Sequence, residues 1–152
     1  MKKLAALLLA VSISNLAVAQ VKPEDQIKFR QSGYTFMSWN MGKIKAMVVD
    51  NPSSYNKEQV QAAANAIAGI ANSGMGALFG PGTDKGKGWK DTRVKPEFFQ
   101  KPDEVRPLGM ALAKEATELQ KVAATGDVNA IKAQFGKLGS ACKDCHDKFR
   151  GD

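Results

Sequence analysis

The chain has 152 residues, 22 of them Lys or Arg against 15 Asp or Glu, for a formal charge of +7. That length suits one domain of ordinary size. The positive charge is spread over Lys43, Lys45, Lys85, Lys87, Lys90, Arg93, Lys95 and the last predicted helix, without interleaved aromatics; this reads as solvated surface rather than a nucleic-acid interface.

Residues 1–19 read as an export signal. Lys2 and Lys3 start it, residues 4–13 form a short apolar run, and Ala17-Val18-Ala19 is a small-residue cleavage site. The run is too short to span a bilayer, and no other stretch is apolar enough to cross one. The sequence therefore divides into a signal over 1–19 and a single domain over 20–152, placed in the periplasm. Losing Lys2 and Lys3 from the 22 basic residues leaves 20 against 15 acidic ones, a formal +5.

Pro23-Glu24-Asp25 opens the first helix, with proline in the first turn and acids at the positive end. Ile27, Arg30, Tyr34, Met37, Met41, Ile44 and Val48 then recur at steps of three and four, the seam of a bundle helix. Asn51-Pro52 ends it. Arg30 on that seam either needs an anionic partner in a buried place or snorkels to solvent at the helix edge.

Ser53 or Ser54 can cap a second helix over about 56–72, whose apolar face is Val60, Ala63, Ala64, Ile67, Ile70 and Ala71. Gly74 and Gly76 stop it. The longest irregular stretch follows, over about 74–102, rich in Gly and Pro. A loop of that length inside a small domain is functional or disordered. Leu78, Phe79, Trp89, Phe98 and Phe99 argue against disorder and give it apolar weight to pack over something flat, or to close one end of a bundle.

A third helix is predicted over about 103–124, with Leu108, Leu112, Leu119 and Val122 inward and Pro107 near its first turns. Gly126 terminates it and Asp127 caps the fourth. The fourth helix carries Val128, Ile131, Phe135, Leu138, Cys142, Cys145 and Phe149 at steps of 3, 4, 3, 4, 3, 4. No stretch alternates as a strand does. The fold class is all-α: an antiparallel four-helix bundle with a long loop between the second and third helices.

Cys142-Lys143-Asp144-Cys145-His146 lies near the end of that fourth seam and takes the chain's only two cysteines and only histidine. Cys-x-x-Cys-His is the attachment signal for c-type haem. On a helix, positions i, i+3 and i+4 share one face. Two thiols can then form thioethers with the haem vinyl groups while His146 points at the iron from the same side. A thioredoxin-like dithiol would want a βαβ surround, and structural zinc would want a fourth ligand; neither is in the sequence. Cysteines at i and i+3 of one helix are also a poor disulfide pair. One covalent haem c fits the export signal, because bacterial c-type haem is attached outside the cytoplasm.

With a single histidine, bis-histidine ligation within one chain is excluded, and no methionine follows His146. Any sixth ligand comes from upstream, where the first seam offers Tyr34, Met37 and Met41. Methionine binding gives a low-spin, six-coordinate electron carrier; without it the iron is five-coordinate. A peroxidase-like enzyme is disfavoured, since no second histidine exists to move protons.

The C-terminal haem motif, the four-helix pattern and the export signal together resemble the cytochrome c′ family, over essentially the whole mature chain. Pro23-Glu24-Asp25 through Lys28-Phe29-Arg30-Gln31-Ser32 is similar to that family's opening helix. Phe79-Gly80-Pro81-Gly82-Thr83 and Thr92-Arg93-Val94-Lys95-Pro96-Glu97 are similar to its long loop. Gly126-Asp127, Phe135-Gly136 and the run from Cys142 to Arg150 are similar to its last helix.

The resemblance implies a non-enzymatic, five-coordinate, high-spin haem that binds NO and CO, with a redox partner left unspecified. It implies Cys142 and Cys145 as haem attachments and His146 as the proximal ligand. It also implies Arg30 and Gln31 near a propionate, and Phe79, Thr92 and Arg93 in the loop at the haem edge. Arg150 stands beside the proximal imidazole, and Tyr34 stands in the distal blocking position, where low-spin relatives have methionine. The family often dimerises through its first helices, for which Phe29, Phe36 and Trp39 lie off the core seam.

Overall fold

The computed structural model describes residues 21–151; the export signal over 1–19 lies outside them. Four long helices, α1 (Pro23–Lys45), α2 (Lys57–Ala71), α4 (Pro102–Thr125) and α5 (Val128–Phe149), form the bundle, and a one-turn helix α3 (Glu97–Gln100) sits in the long connection. Among the described residues there are no strands, only isolated bridges between Lys87 and Asp91 and between Val94 and Arg150. No described helix is long and apolar enough to cross a membrane.

The ends are set by local chemistry. Pro23 begins α1 with Glu24 and Asp25 at its positive end and Lys43 and Lys45 at its negative end. The winding continues past Lys45 as a wider π turn, Ala46–Asp50, before Asn51-Pro52 stops it. The cap of α2 is Asn56, whose side chain accepts from Gln59 N at 2.9 Å. Ser53 and Ser54, the expected caps, belong instead to a separate 3₁₀ turn, Pro52–Ser54. Asn satisfies the orphan N–H groups as well as Ser does, and it stands one turn closer to the apolar run. Gly126 closes α4 at φ 81°, and Asp127 caps α5 by accepting from Asn129 N and Ala130 N. Each such cap is worth about 1 kcal/mol.

Neighbouring helices run antiparallel. Gln61 of α2 donates to Gln120 O of α4 at 3.2 Å, while Asn72 donates to Thr117 Oγ1 at 3.0 Å, so rising numbers in one helix meet falling numbers in the other. The Cβ position of Gly33 on α1 faces Ile70 and Met75 after the turn of the chain. On α5, Gln134 reaches Glu115 of α4 at 2.7 Å. The main contacts join α1 to α2, α2 to α4 and α4 to α5; α1 and α5 meet little directly.

The main aliphatic cluster fills one end of the bundle. It contains Met37, Ile44, Met47 and Val48 of α1, Val60, Ala63, Ala64 and Ile67 of α2, Ala116, Leu119 and Ala123 of α4, and Ile131 and Leu138 of α5. Alanines dominate the α2 and α4 contributions, which lets those helices approach closely. This cluster reaches Met37 on α1 and Leu138 on α5, with Cys142 packed at its edge. Arg30, Tyr34 and Cys145 lie beyond it, where Ile27 and Phe149 are buried separately.

Candidate functional site

The site begins where the core ends. Cys142 and Cys145 are half-buried free thiols on the inner face of α5. Burial raises the pKa of both, and Cys145 raises that of Cys142 further. Tyr34, opposite them on α1, is 36% exposed overall, yet its hydroxyl is pushed up to about 12, first by burial and then by the neighbouring Cys145, with Arg30 opposing. The phenol thus senses the charge of both thiols. His146 has different neighbours: burial lowers its pKa, Arg150 and Arg93 lower it further, and Asp147 opposes. Arg150 Nη1 lies 3.4 Å from His146 Nδ1. Different charges thus act on the imidazole and on the phenol, the cysteines on the phenol and the two arginines on the imidazole.

Arg30 is only 3% exposed, so it does not snorkel. Its Nη1 donates to Leu78 O at 3.1 Å and Thr83 Oγ1 at 2.8 Å; its Nη2 donates to Thr83 O and to Thr92 Oγ1 at 2.6 Å. The guanidinium also lies 4.7 Å from the Phe79 ring centroid. All four neighbours are neutral, and among the described residues no carboxylate pairs with it within 4.0 Å. Burial accordingly lowers its pKa, with Tyr34 and Asp84 opposing. A buried cation without an anion is costly, and the site is one anion short.

The long loop hangs on α1 through neighbours of Arg30. Gln31 accepts from Trp89 N at 2.8 Å and from Lys90 N at 3.2 Å, and donates to Lys90 O at 2.9 Å. The amide of Gln31, expected near a propionate, is thus committed to the loop. Gln26 accepts from Gly80 N at 3.0 Å. Gly88 runs so close to α1 that a Cβ there would stand 2.6 Å from Lys28 N. Beyond Thr92 the loop crosses to the end of α5: Lys95 N donates to Phe149 O at 2.9 Å, Gly151 N to Arg93 O at 2.7 Å, and Arg93 Nε to Gly151 O at 2.9 Å. The loop therefore straps α1 to α5 across the side where the two helices barely touch.

The loop aromatics divide. Tyr34 meets Phe79 edge-on at 6.4 Å, Phe79 stacks on Phe98 at 4.5 Å, and Phe98 meets Phe149 edge-on at 5.8 Å. These line the end of the bundle. Trp89 does not join them; it is 63% exposed on the outside of α1, with its indole N–H donating to Ser32 Oγ at 2.8 Å. Gln26, fully buried Thr83, Phe98 and Gly88 were not among the expected site residues. The signal for Thr83 was weak: one hydroxyl in a Gly-Pro-Gly-Thr turn does not announce that it will face an arginine 53 positions away.

These residues fit a haem. They offer two thiols at thioether spacing, a lone imidazole one residue on, a buried guanidinium lacking an anion, and a ring of aromatics where the aliphatic core gives out. Fold and site together define a four-helix-bundle protein of the c-type haem class.

Comparison with known proteins agrees. The cytochrome c′ family model matches residues 25–150. The chain is 54% identical over 147 residues to the cytochrome c′ of Allochromatium vinosum, covering 96% of this chain and 94% of that protein. It is 57% identical over 129 residues to that of Rhodocyclus tenuis, covering 85% and 96%. Its fold is similar to the crystal structure of a cytochrome c′ described as having ligand-controlled dimer dissociation, with TM-score 0.83 and 55% identity over 88% of this chain and all of that one. It is also similar to nitric-oxide and carbon-monoxide complexes of variants of the Alcaligenes xylosoxidans cytochrome c′, at TM-score 0.75 and 30% identity, over 87% of this chain and 98% of those. The chain belongs to the cytochrome c′ family and is a haem protein.

Proposed function

We propose that the protein, exported through residues 1–19, works in the periplasm as a high-spin, five-coordinate haem protein that binds NO and CO, with a capacity for electron transfer. Residues 20–152 form its single domain. Cys142 and Cys145 hold one haem c through thioethers, His146 is the iron's protein ligand, and Arg30 takes a propionate. When bound, the haem supplies an iron whose open side takes a diatomic gas.

The chain's own residues decide what reaches that side. The observation that carries the reading is Tyr34, which stands on the inward seam of α1 beyond the aliphatic cluster, its ring edge-on to Phe79 at 6.4 Å and its hydroxyl sensing the charge of Cys145 and Cys142. Its ring fills the distal space by volume and keeps water out, and its raised pKa keeps the hydroxyl neutral at physiological pH. Met37 is 5% exposed and sits in the aliphatic core, and Met41 packs against that core. This weighs against the alternative of a low-spin carrier with a methionine ligand. NO and CO complexes of relatives support the choice of ligand. A binding role rather than an enzymatic one follows from the absence of a second imidazole for proton transfer.

Phe79 and Phe98 close the aromatic wall, while Thr92 fixes Arg30 and Gln31 fixes the loop. Arg93 and Arg150 keep the proximal imidazole a weak donor by adding positive charge beside it. Phe29, Phe36 and Trp39 are 54%, 48% and 57% exposed on the outer side of α1 and form the face through which a second copy docks.

The test is Tyr34→Ala in the reduced holoprotein with CO titrated in. The reading expects tighter or faster CO binding than in the parent. Unchanged affinity and rate, with a retained high-spin spectrum, would remove Tyr34 as the gate.

A further inference from the structure

We propose that the hollow beside His146, lined by Arg93, Lys95, Arg150, Asp147 and Gly151, binds a small inorganic oxyanion of the phosphate class. The proposal assumes a loaded haem but not any particular gas ligand.

Two rungs of backbone pairing build the hollow. Val94 pairs with Arg150 in an antiparallel bridge, flanked by the bonds of Lys95 N to Phe149 O and Gly151 N to Arg93 O. Side chains from two remote segments are thereby fixed around one depression at the end of α5. Three are cations. Among the described residues the Arg93 side chain spends only its Nε, on Gly151 O. Among the same residues the Arg150 side chain meets only the ring nitrogen of His146. Among the described residues neither arginine, nor Lys95, has a carboxylate within 4.0 Å. Among the described residues the one acid in the hollow, Asp147, is taken by Lys143 on the outer face of α5.

Three cations line one hollow, and a single anion placed there would face all of them. The lining is polar, which suits neither a gas nor an apolar tail. Arginine forks with free terminal N–H groups match the oxygens of a phosphate-type anion, and the lysine adds a point charge. Arg150 Nη1 also lies 3.4 Å from His146 Nδ1. An anion held there would offset the positive charge beside the ring and make the imidazole a stronger donor to whatever it ligates. The hollow would thus couple oxyanion concentration to the redox poise of the protein.

The experiment titrates sodium phosphate into the ferric holoprotein by calorimetry at fixed ionic strength, with a parallel measurement of the midpoint potential. We expect saturable binding with a dissociation constant on the order of 1 mM and a lower midpoint at saturation. Lys95→Gln and Arg93→Gln should each weaken binding about fivefold, the Coulomb worth of one exposed contact charge. Arg93→Lys should recover most of the Arg93→Gln loss, which separates charge from folding. The proposal fails if the holoprotein shows no saturable binding, as it would if a haem propionate already filled the hollow. It fails equally if chloride at matched ionic strength moves the potential as far, or if the neutral variants bind as the parent does.

Discussion

Replacing Arg30 with Met keeps the buried apolar stem and removes the charge. In the holoprotein this should cost about 3–5 kcal/mol, the penalty for breaking a buried pair by deleting one member. The hydrogen bonds alone would cost less. Thr83 Oγ1 still donates to Gly80 O at 2.8 Å, and Thr83 O still accepts from Thr92 Oγ1 at 3.3 Å. Of the four acceptors, Leu78 O has no other side-chain donor, an orphan worth about 1–3 kcal/mol. Against that stands the relief of removing a cation that is 3% exposed and has no protein anion. If Arg30 served the loop alone, these terms would nearly cancel. If it holds a propionate, the full penalty appears. Urea unfolding of the holoprotein followed by far-ultraviolet dichroism reads the difference. With a slope of about 2 kcal/mol per M, the midpoint should fall by about 2 M. Thr92→Val, which removes the short bond from Arg30 and the two longer ones to Thr83 O and from Val94 N but no charge, should lower it by about 0.5 M, for about 1 kcal/mol. A shift for Arg30→Met no larger than that for Thr92→Val would refute the propionate argument.

Gly88→Ala places a methyl group 2.6 Å from Lys28 N and 2.8 Å from Lys28 Cα. The loop must lift from α1 and strain the three bonds of Gln31, so about 1–3 kcal/mol of stability is lost, with faster amide exchange at Trp89 and Lys90 as the readout. Gly42→Ala, where a Cβ meets nothing within 4 Å, should not destabilise. Raising the pH above 10 should destabilise the protein progressively. The folded pKa of Tyr34, about 12, lies above the ordinary tyrosine value near 10, so the stability its neutral hydroxyl contributes is complete below pH 10 and is lost as pH rises through 12. Tyr34→Phe should flatten that part of the profile; an unchanged alkaline limb would show that Tyr34 does not set it.

Much of this molecule is legible because its helices obey one period. On α5 three of the seven seam residues, Ile131, Leu138 and Phe149, are fully buried or nearly so, and the thiols fall on the same stripe. Arg30 stood out for the opposite reason, as a charge on an apolar seam. The loop resisted reading, because its contacts are set by partners 48 to 62 positions away and not by neighbours. Nothing near Trp89 says that its indole will find Ser32 and stay outside, while Phe79 and Phe98 turn inward. Met37 was ambiguous on sequence grounds: one turn past Tyr34 it could have faced iron or core, and only the register of α1 against α2 sends it to the core.

The central claim is a haem held by Cys142, Cys145 and His146 with its other side left open behind Tyr34. The most direct measurement is the optical spectrum of the purified protein, oxidised and then reduced, without added ligand. The account predicts a five-coordinate high-spin spectrum in both states. A low-spin, methionine-type spectrum in either state would contradict it.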